Sequence, residues 1–267
     1  MLPIAQTTLI IVLILLPLVV VAPKITTNTR LQSYISSPSV TTNPSPTPPA
    51  TLPLTTQHWL IAAGGIIAVQ NREGLDTLQV TTSSPQVRQL LSDWWDITDR
   101  ASALNILQWL KTYGHRQEYE DFRLSVLNQT GDDYQAFLKL KPTLLQRVSP
   151  NDRTNMSFEL DFLWRYRNTL NAQNLLAWDY MRLINVARWS YTVGYITEAE
   201  AWNYLLFAGQ TLQSTYTSWA DMGQHYLYGR TYWQHSYNNT QAQTALQWLT
   251  SNPQSPWLTL PWDTPIN

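Results

Sequence analysis

Residues 174–193 read NLLAWDYMRLINVARWSYTV and are apolar on nearly every side of a helical projection. A helix on a protein surface shows one apolar stripe, whereas one that is apolar all round has to be enclosed by other elements. This stretch therefore demands a central helix and a shell of further helices around it. It also carries Asp179, Arg182 and Arg188. A charge enclosed in this way is costly unless an opposite charge or several hydrogen bonds meet it.

The flanking sequence supplies that shell, with clear punctuation. Residues 58–69 are apolar over about a dozen positions, too few to span a bilayer, and read as a buried first helix. Gly64-Gly65 weakens it and marks a place where another backbone approaches closely. Ser84-Pro85 provides a cap and an N1 proline before a helix through Leu90, Leu91, Trp94 and Trp95. Thr98 caps the next, with Ala101, Leu104, Leu107 and Leu110 along one side and Gly114 closing it. Phe122, Val126 and Leu127 mark a third helix. Residues 134–148 form a fourth, bent or stopped by Pro142, and 158–170 a fifth. Gly194 ends the central helix. Thr197-Glu198-Ala199-Glu200 is a capping box opening a helix through Trp202, Leu205, Leu206 and Leu212, and Ser218-Trp219-Ala220-Asp221 repeats the device. A last helix near residues 240–250 leads to a proline-rich tail, where Trp257 and Trp262 either pin the tail to the bundle or form an exposed aromatic groove. There is no alternating pattern long enough for a sheet and no fixed-period repeat. The expected fold is all-α, a compact multi-helix orthogonal bundle over residues 57–267.

The segment before this bundle has a different character. Residues 2–22 carry no charge, enough to cross a ~30 Å hydrocarbon core as one helix. No Lys or Arg precedes the apolar run, and Val20-Val21-Ala22-Pro23 offers no small-x-small cleavage site, so residues 1–23 read as an uncleaved anchor rather than a signal peptide. Lys24 and Arg30 follow the run and favour a cytoplasmic C-terminal side, which makes a single-pass inner-membrane protein. Residues 24–56 are rich in Thr, Ser and Pro and read as a disordered tether. From residue 55 onward the net charge is −3, since two of the 17 basic side chains and none of the 18 acidic ones lie before it. Such a balance excludes a nucleic-acid partner, which requires a basic footprint. The absence of cysteine removes disulfides, thiolate metal sites and thiol catalysis.

Chemistry-bearing residues are few. Asp179 and Arg182 are i,i+3 neighbours and are expected to pair with each other or with Arg188, Glu200 or Arg230 on adjacent helices. They form either a buried ionic lock that sets helix register or, together with His225, part of a cluster lining a pocket for a polar or anionic ligand. His225 follows Asp221 by four residues, a spacing that would let the carboxylate orient the imidazole; against that, Asp221 is occupied as a capping residue and no nucleophile stands at a telling distance. Ser218 is better read as an N-cap. Gly229-Arg230 sits within a helix and leaves a gap for a neighbouring helix or for a ligand near Arg230. His115-Arg116 follows the Gly114 cap, where His115 could bond free backbone groups. The four histidines show no paired helix-face spacing, and Asp132-Asp133 and Glu198/Glu200 lie at helix starts, so no metal or cofactor is expected. Nucleotide and hydrolase templates are missing.

Several of these segments together resemble domain of unknown function 1266, an uncharacterised bacterial family. They are Trp95-Asp96-Ile97-Thr98, Ala103-Leu104, Gly114-His115-Arg116, Ala177-Trp178-Asp179, Arg182, Gly194-Tyr195-Ile196, Glu200-Ala201-Trp202, Ser218-Trp219, Tyr226-Leu227, Gly229-Arg230, Trp233, Ser255-Pro256-Trp257 and Leu260-Pro261-Trp262. The resemblance implies a helical domain and its boundaries, and no activity. The expected function is a membrane-anchored, non-catalytic module that binds a protein or small-molecule partner through Trp178, Asp179, Arg182, Glu200, His225, Tyr226 and Arg230. The alternative is an enzyme of unknown class with a polar Asp/Arg/His cleft, which requires Asp179, Arg182, His225 and Arg230 to converge on one water-accessible cavity.

Overall fold

The computed structural model describes residues 52–266. The expected anchor lies outside them, as does the expected tether up to residue 51. Among the described residues there are twelve α-helices and one 3₁₀ turn, Pro150–Asp152, with no strand. None of these helices is long and apolar enough to cross a membrane. The helices are α1 (Leu54–Ala62), α2 (Gly65–Gln70), α3 (Ser84–Trp95), α4 (Arg100–Thr112), α5 (Gly114–Thr130), α6 (Tyr134–Gln146), α7 (Arg153–Tyr166), α8 (Leu176–Thr192), α9 (Glu198–Thr215), α10 (Trp219–Gln234), α11 (Thr240–Ser251) and α12 (Pro256–Thr259). The folded part begins inside the stretch expected to be tether: Leu52 and Thr56 are already buried.

Helix α8 is the axis of the bundle. Every residue from Leu176 to Ser190 is buried, and α9, α10 and α4 pack most extensively on it. The C-terminal end follows the glycine rule: Gly194 takes φ +79, and the Tyr195 N–H reaches back to the Ser190 carbonyl at 2.8 Å. Residues 58–69 are two helices, not one, with a break at Ala63-Gly64. The cause is a close approach: a Cβ on Gly64 would stand 2.7 Å from Asn185 Nδ2, which donates to the Gly64 carbonyl.

Several local expectations are corrected by the shape of the core. In α3 the buried face is Val87, Leu91 and Trp95, and Trp94 is 67% exposed, since neighbours in a helix point about 100° apart. The N-cap of α3 is Ser83, not Ser84. Helix α4 is capped by Asp99, one residue beyond Thr98, in a reciprocal box with Ser102; this rotation buries Ala103, Ile106, Leu107, Trp109 and Leu110 and leaves Ala101 outside. Pro142 is carried within α6 without ending it. Gly114, at φ +65 directly after the α4 C-cap Tyr113, closes α4 as expected and also opens α5.

The tail is pinned by indoles. Trp59 packs at a tilt against Trp219 (4.7 Å between centroids) and Trp262 (5.3 Å), and Trp257 lies nearly parallel to Trp219. Three of these rings donate across chain segments: Trp59 to the Trp262 carbonyl, Trp219 to Leu260 and Trp257 to Ala62. Each ring buries large apolar area while its one polar atom is satisfied. A second apolar cluster, Phe122, Val126, Phe137, Leu144, Met156, Leu160 and Leu163, joins α5, α6 and α7.

Candidate functional site

Helix α5 starts without a side-chain cap from its own N-cap residue, Tyr113. The first backbone N–H groups of a helix have no partner inside it and carry the positive end of its dipole. Here a carboxylate from another helix fills the vacancy. Asp179, in the first turn of α8 and fully buried, accepts from the His115 N–H through Oδ1 (3.2 Å) and from the Arg116 N–H through Oδ2 (3.0 Å). Two guanidinium groups complete its shell: Arg116 Nη1 donates to Oδ2 at 2.9 Å and Arg182 Nη2 to Oδ1. Each carboxylate oxygen thus accepts two hydrogen bonds.

Both arginines are themselves well engaged. Arg116 donates to the Leu110 and Lys111 carbonyls at 2.8 and 2.9 Å, satisfying the C-terminal end of α4. Arg182 donates from Nε to the Trp178 carbonyl and from Nη2 to His115 Nδ1 at 2.9 Å, and its guanidinium lies 4.1 Å over the Trp178 ring. Arginine has no acceptor, so His115 Nδ1 receives this bond and Nε2 carries the imidazole proton. Burial pushes the Arg182 guanidinium below its usual range, with Asp179 opposing that shift. Gly114 makes the approach possible. Its φ is +65, and a Cβ there would stand 2.0 Å from Asp179 Oδ2.

The other expected site residues divide among separate interfaces. Trp178, Tyr226 and Arg230 stay near Asp179 and Arg182: the Trp178 and Tyr226 rings meet at 5.2 Å, tilted by 53°, and Gly229 lets the two helices touch, since a Cβ there would meet Trp178 Cβ at 2.2 Å. Glu200 is elsewhere, with Arg100 on both its oxygens (2.6 and 2.8 Å) and the Thr197 N–H. The Arg100 hydrogen bonds, with a smaller contribution from Thr197, hold its carboxyl at about 2. His225 points to a further interface, 3.1 Å from Asp221 Oδ1 and against the Tyr216 ring at 5.0 Å. Asp221 also accepts from the Thr217 N–H.

Arg188 turns away from Asp179. It donates to the carbonyls of Gly74, Thr77 and Leu78, strapping the 71–83 loop to α8, and burial brings its guanidinium down to about 10. Nearby, Glu73 accepts from Trp189 Nε1 at 2.7 Å, and desolvation raises its carboxyl above the usual range. Among the described residues no group of three or more His, Asp or Glu side chains could hold a metal ion.

Sequence reasoning singled out Asp179 and Arg182 but missed their partnership with Gly114, His115 and Arg116. The one local signal was a helix beginning at residue 114 with no Ser, Thr, Asp or Asn immediately before it. No curated protein and no solved structure matches the chain. The model of the family described as "Protein of unknown function (DUF1266)" matches residues 90–262, a span that includes the Asp179 carboxylate and every group bonded to it, and the chain belongs to that family.

Proposed function

We propose that the helical domain is a non-catalytic binding module, held at the cytoplasmic face of a membrane by residues 2–22 and free to reach a protein or small-molecule partner on the tether that follows. One observation carries the non-catalytic part. The carboxylate best placed for chemistry, Asp179, is wholly buried and already accepts four hydrogen bonds, so it has no lone pair directed at a substrate. General acid–base or nucleophilic work requires a group within hydrogen-bond reach of a bound substrate. His225, which the enzyme alternative requires to face one cavity with Asp179, is engaged by Asp221 on a different interface. The anchor rests on the length and lack of charge of residues 2–22.

The test is membrane fractionation of the full chain, followed by an alkaline carbonate wash, beside a variant lacking residues 2–22. Retention of the full chain and release of a folded variant supports the anchor, and a reporter fused after Asn267 that is active only in the cytoplasm supports the orientation. Release of the full chain by carbonate contradicts the anchor. A reporter active only outside contradicts the orientation.

A further inference from the structure

Between α10 and α11 the chain reverses through His235, in the left-handed region at φ +51, beside an open concavity of about 270 Å³ lined by Arg230, Asn238, Asn239, Thr240 and Gln241. None of these five side chains is a carboxylate. Arg230 donates to the Tyr226 hydroxyl, which is neutral at ordinary pH, but its Nε is buried with no hydrogen-bond partner, and among the described residues no carboxylate forms a salt bridge with it. A partly enclosed cation without a counter-charge is costly.

The opposite wall has the same sign. Helix α11 presents its N-terminus to the concavity, has no acidic residue in its first turn and receives no side-chain cap from Asn239. The Asn239 amide is turned inward instead, donating to the Leu227 carbonyl and Thr231 Oγ1 and accepting from Gln234 Nε2 at 2.7 Å. Asn238 Oδ1 accepts from the Thr240 hydroxyl and N–H and the Asn239 carbonyl accepts from the Gln243 N–H, which leaves the Gln241 and Ala242 N–H groups without an acceptor from the N-cap. The dipole of α11 and the Arg230 fork therefore bear on one volume, with side-chain amides at its rim.

We infer that this concavity binds the phosphate group of a phosphomonoester, held by the Arg230 guanidinium and the first-turn N–H groups of α11. A guanidinium fork and helix N–H groups are matched to the several oxygens of such an anion. This rests on the reading of the domain as a binding module and names the chemistry of its ligand.

The experiment is isothermal titration calorimetry on the full chain in detergent, against a chloride-matched control, with inorganic phosphate, glycerol phosphate and phosphatidic acid in mixed micelles (beside micelles of phosphatidylcholine) as separate arms. Saturable 1:1 binding of inorganic phosphate is expected. Glycerol phosphate binding without phosphatidic acid binding indicates a soluble ligand, and binding of phosphatidic acid above the phosphatidylcholine background indicates a lipid headgroup. Arg230→Gln is expected to weaken phosphate at least tenfold. Gln241→Glu places a carboxylate at the rim and is expected to abolish binding while holding or raising the Tm, because an acidic residue in the first turn favours the helix dipole; loss of binding there cannot be ascribed to unfolding. No saturable signal from the wild-type chain, or variants that bind as it does, overturns the inference. Membrane retention does not depend on Arg230, so failure here and failure of the anchor are separate results.

Discussion

Replacing Asp179 by Asn exchanges one heavy atom and leaves the volume almost unchanged, yet it should be among the most damaging single changes in this protein. Each carboxylate oxygen accepts two donors: the His115 N–H and Arg182 on one, the Arg116 N–H and Arg116 Nη1 on the other. An Asn amide can face only one of those pairs with its oxygen, so its NH₂ meets the other pair head on and two buried donors lose their acceptor. The same change takes from two buried guanidinium groups the carboxylate in direct contact with them. Removing one partner from a buried ionic group costs about 3–5 kcal/mol, and a stranded buried donor about 1–3 kcal/mol; these overlap, so about 4 kcal/mol is the expected loss. For a domain of this size about 2–4 °C of Tm is lost per kcal/mol, which gives a fall of about 8–16 °C. Circular dichroism melts of the full chain in detergent, wild type beside Asp179→Asn, read this directly. A midpoint within about 2 °C of wild type, or a raised one, would refute the argument, because charges held at some expense of stability are the mark of a functional site.

Gly114→Ala should cost about 3 kcal/mol in the same melts, from the positive φ and from driving the new Cβ into Asp179 Oδ2; a neutral result would mean that the α5 start is not held as described. Trp257→Ala should cost about 3–5 kcal/mol in a urea titration, since the ring is buried against Trp219 and satisfies the Ala62 carbonyl, while Trp257→Phe should recover most of it. For Glu200 the folded pKa, about 2, lies below the ~4.3 of an unfolded chain. Its contribution is therefore complete above about pH 5 and is lost as pH falls from ~4.3 towards 2. The Tm gap between wild type and Glu200→Gln should shrink over that window. The raised carboxyl of Glu73 has the opposite sign: Glu73→Gln should gain stability relative to wild type as pH climbs through and above the ordinary glutamate range.

Much of this architecture is legible along the chain because it depends on neighbours in sequence. The Thr197/Glu200 box forms as read, the all-round apolar pattern of residues 174–193 marks the bundle axis, and Gly64-Gly65 foretells a close approach. Where the outcome turns on distant groups, local pattern is mute. Trp94 and Trp95 are equally apolar, and only the position of the core sends one inward and the other into solvent. Thr98 and Asp99 are both good caps, and Ser102 selects Asp99 by completing the reciprocal box. Apart from Arg182, the partners of Asp179 lie more than sixty positions earlier; adjacency in the fold made Arg116, not Arg188 or Arg230, the second arginine. A cluster of Asp, Arg and His reads as chemistry in one dimension, and in three dimensions it joins the C-terminus of α4, the N-terminus of α5 and the first turn of α8.

Native-state amide hydrogen exchange at His115 and Arg116 addresses that joint most directly. First-turn amides of an ordinary helix have no internal acceptor and exchange readily. With Asp179 as their buried acceptor, these two should exchange only through global unfolding, at the slow rate of the α8 core amides, and Asp179→Asn should release them selectively. Fast exchange of both in the wild-type chain, at the rate of exposed first-turn amides, would contradict the claim that Asp179 is a structural cap rather than a group held free for a ligand.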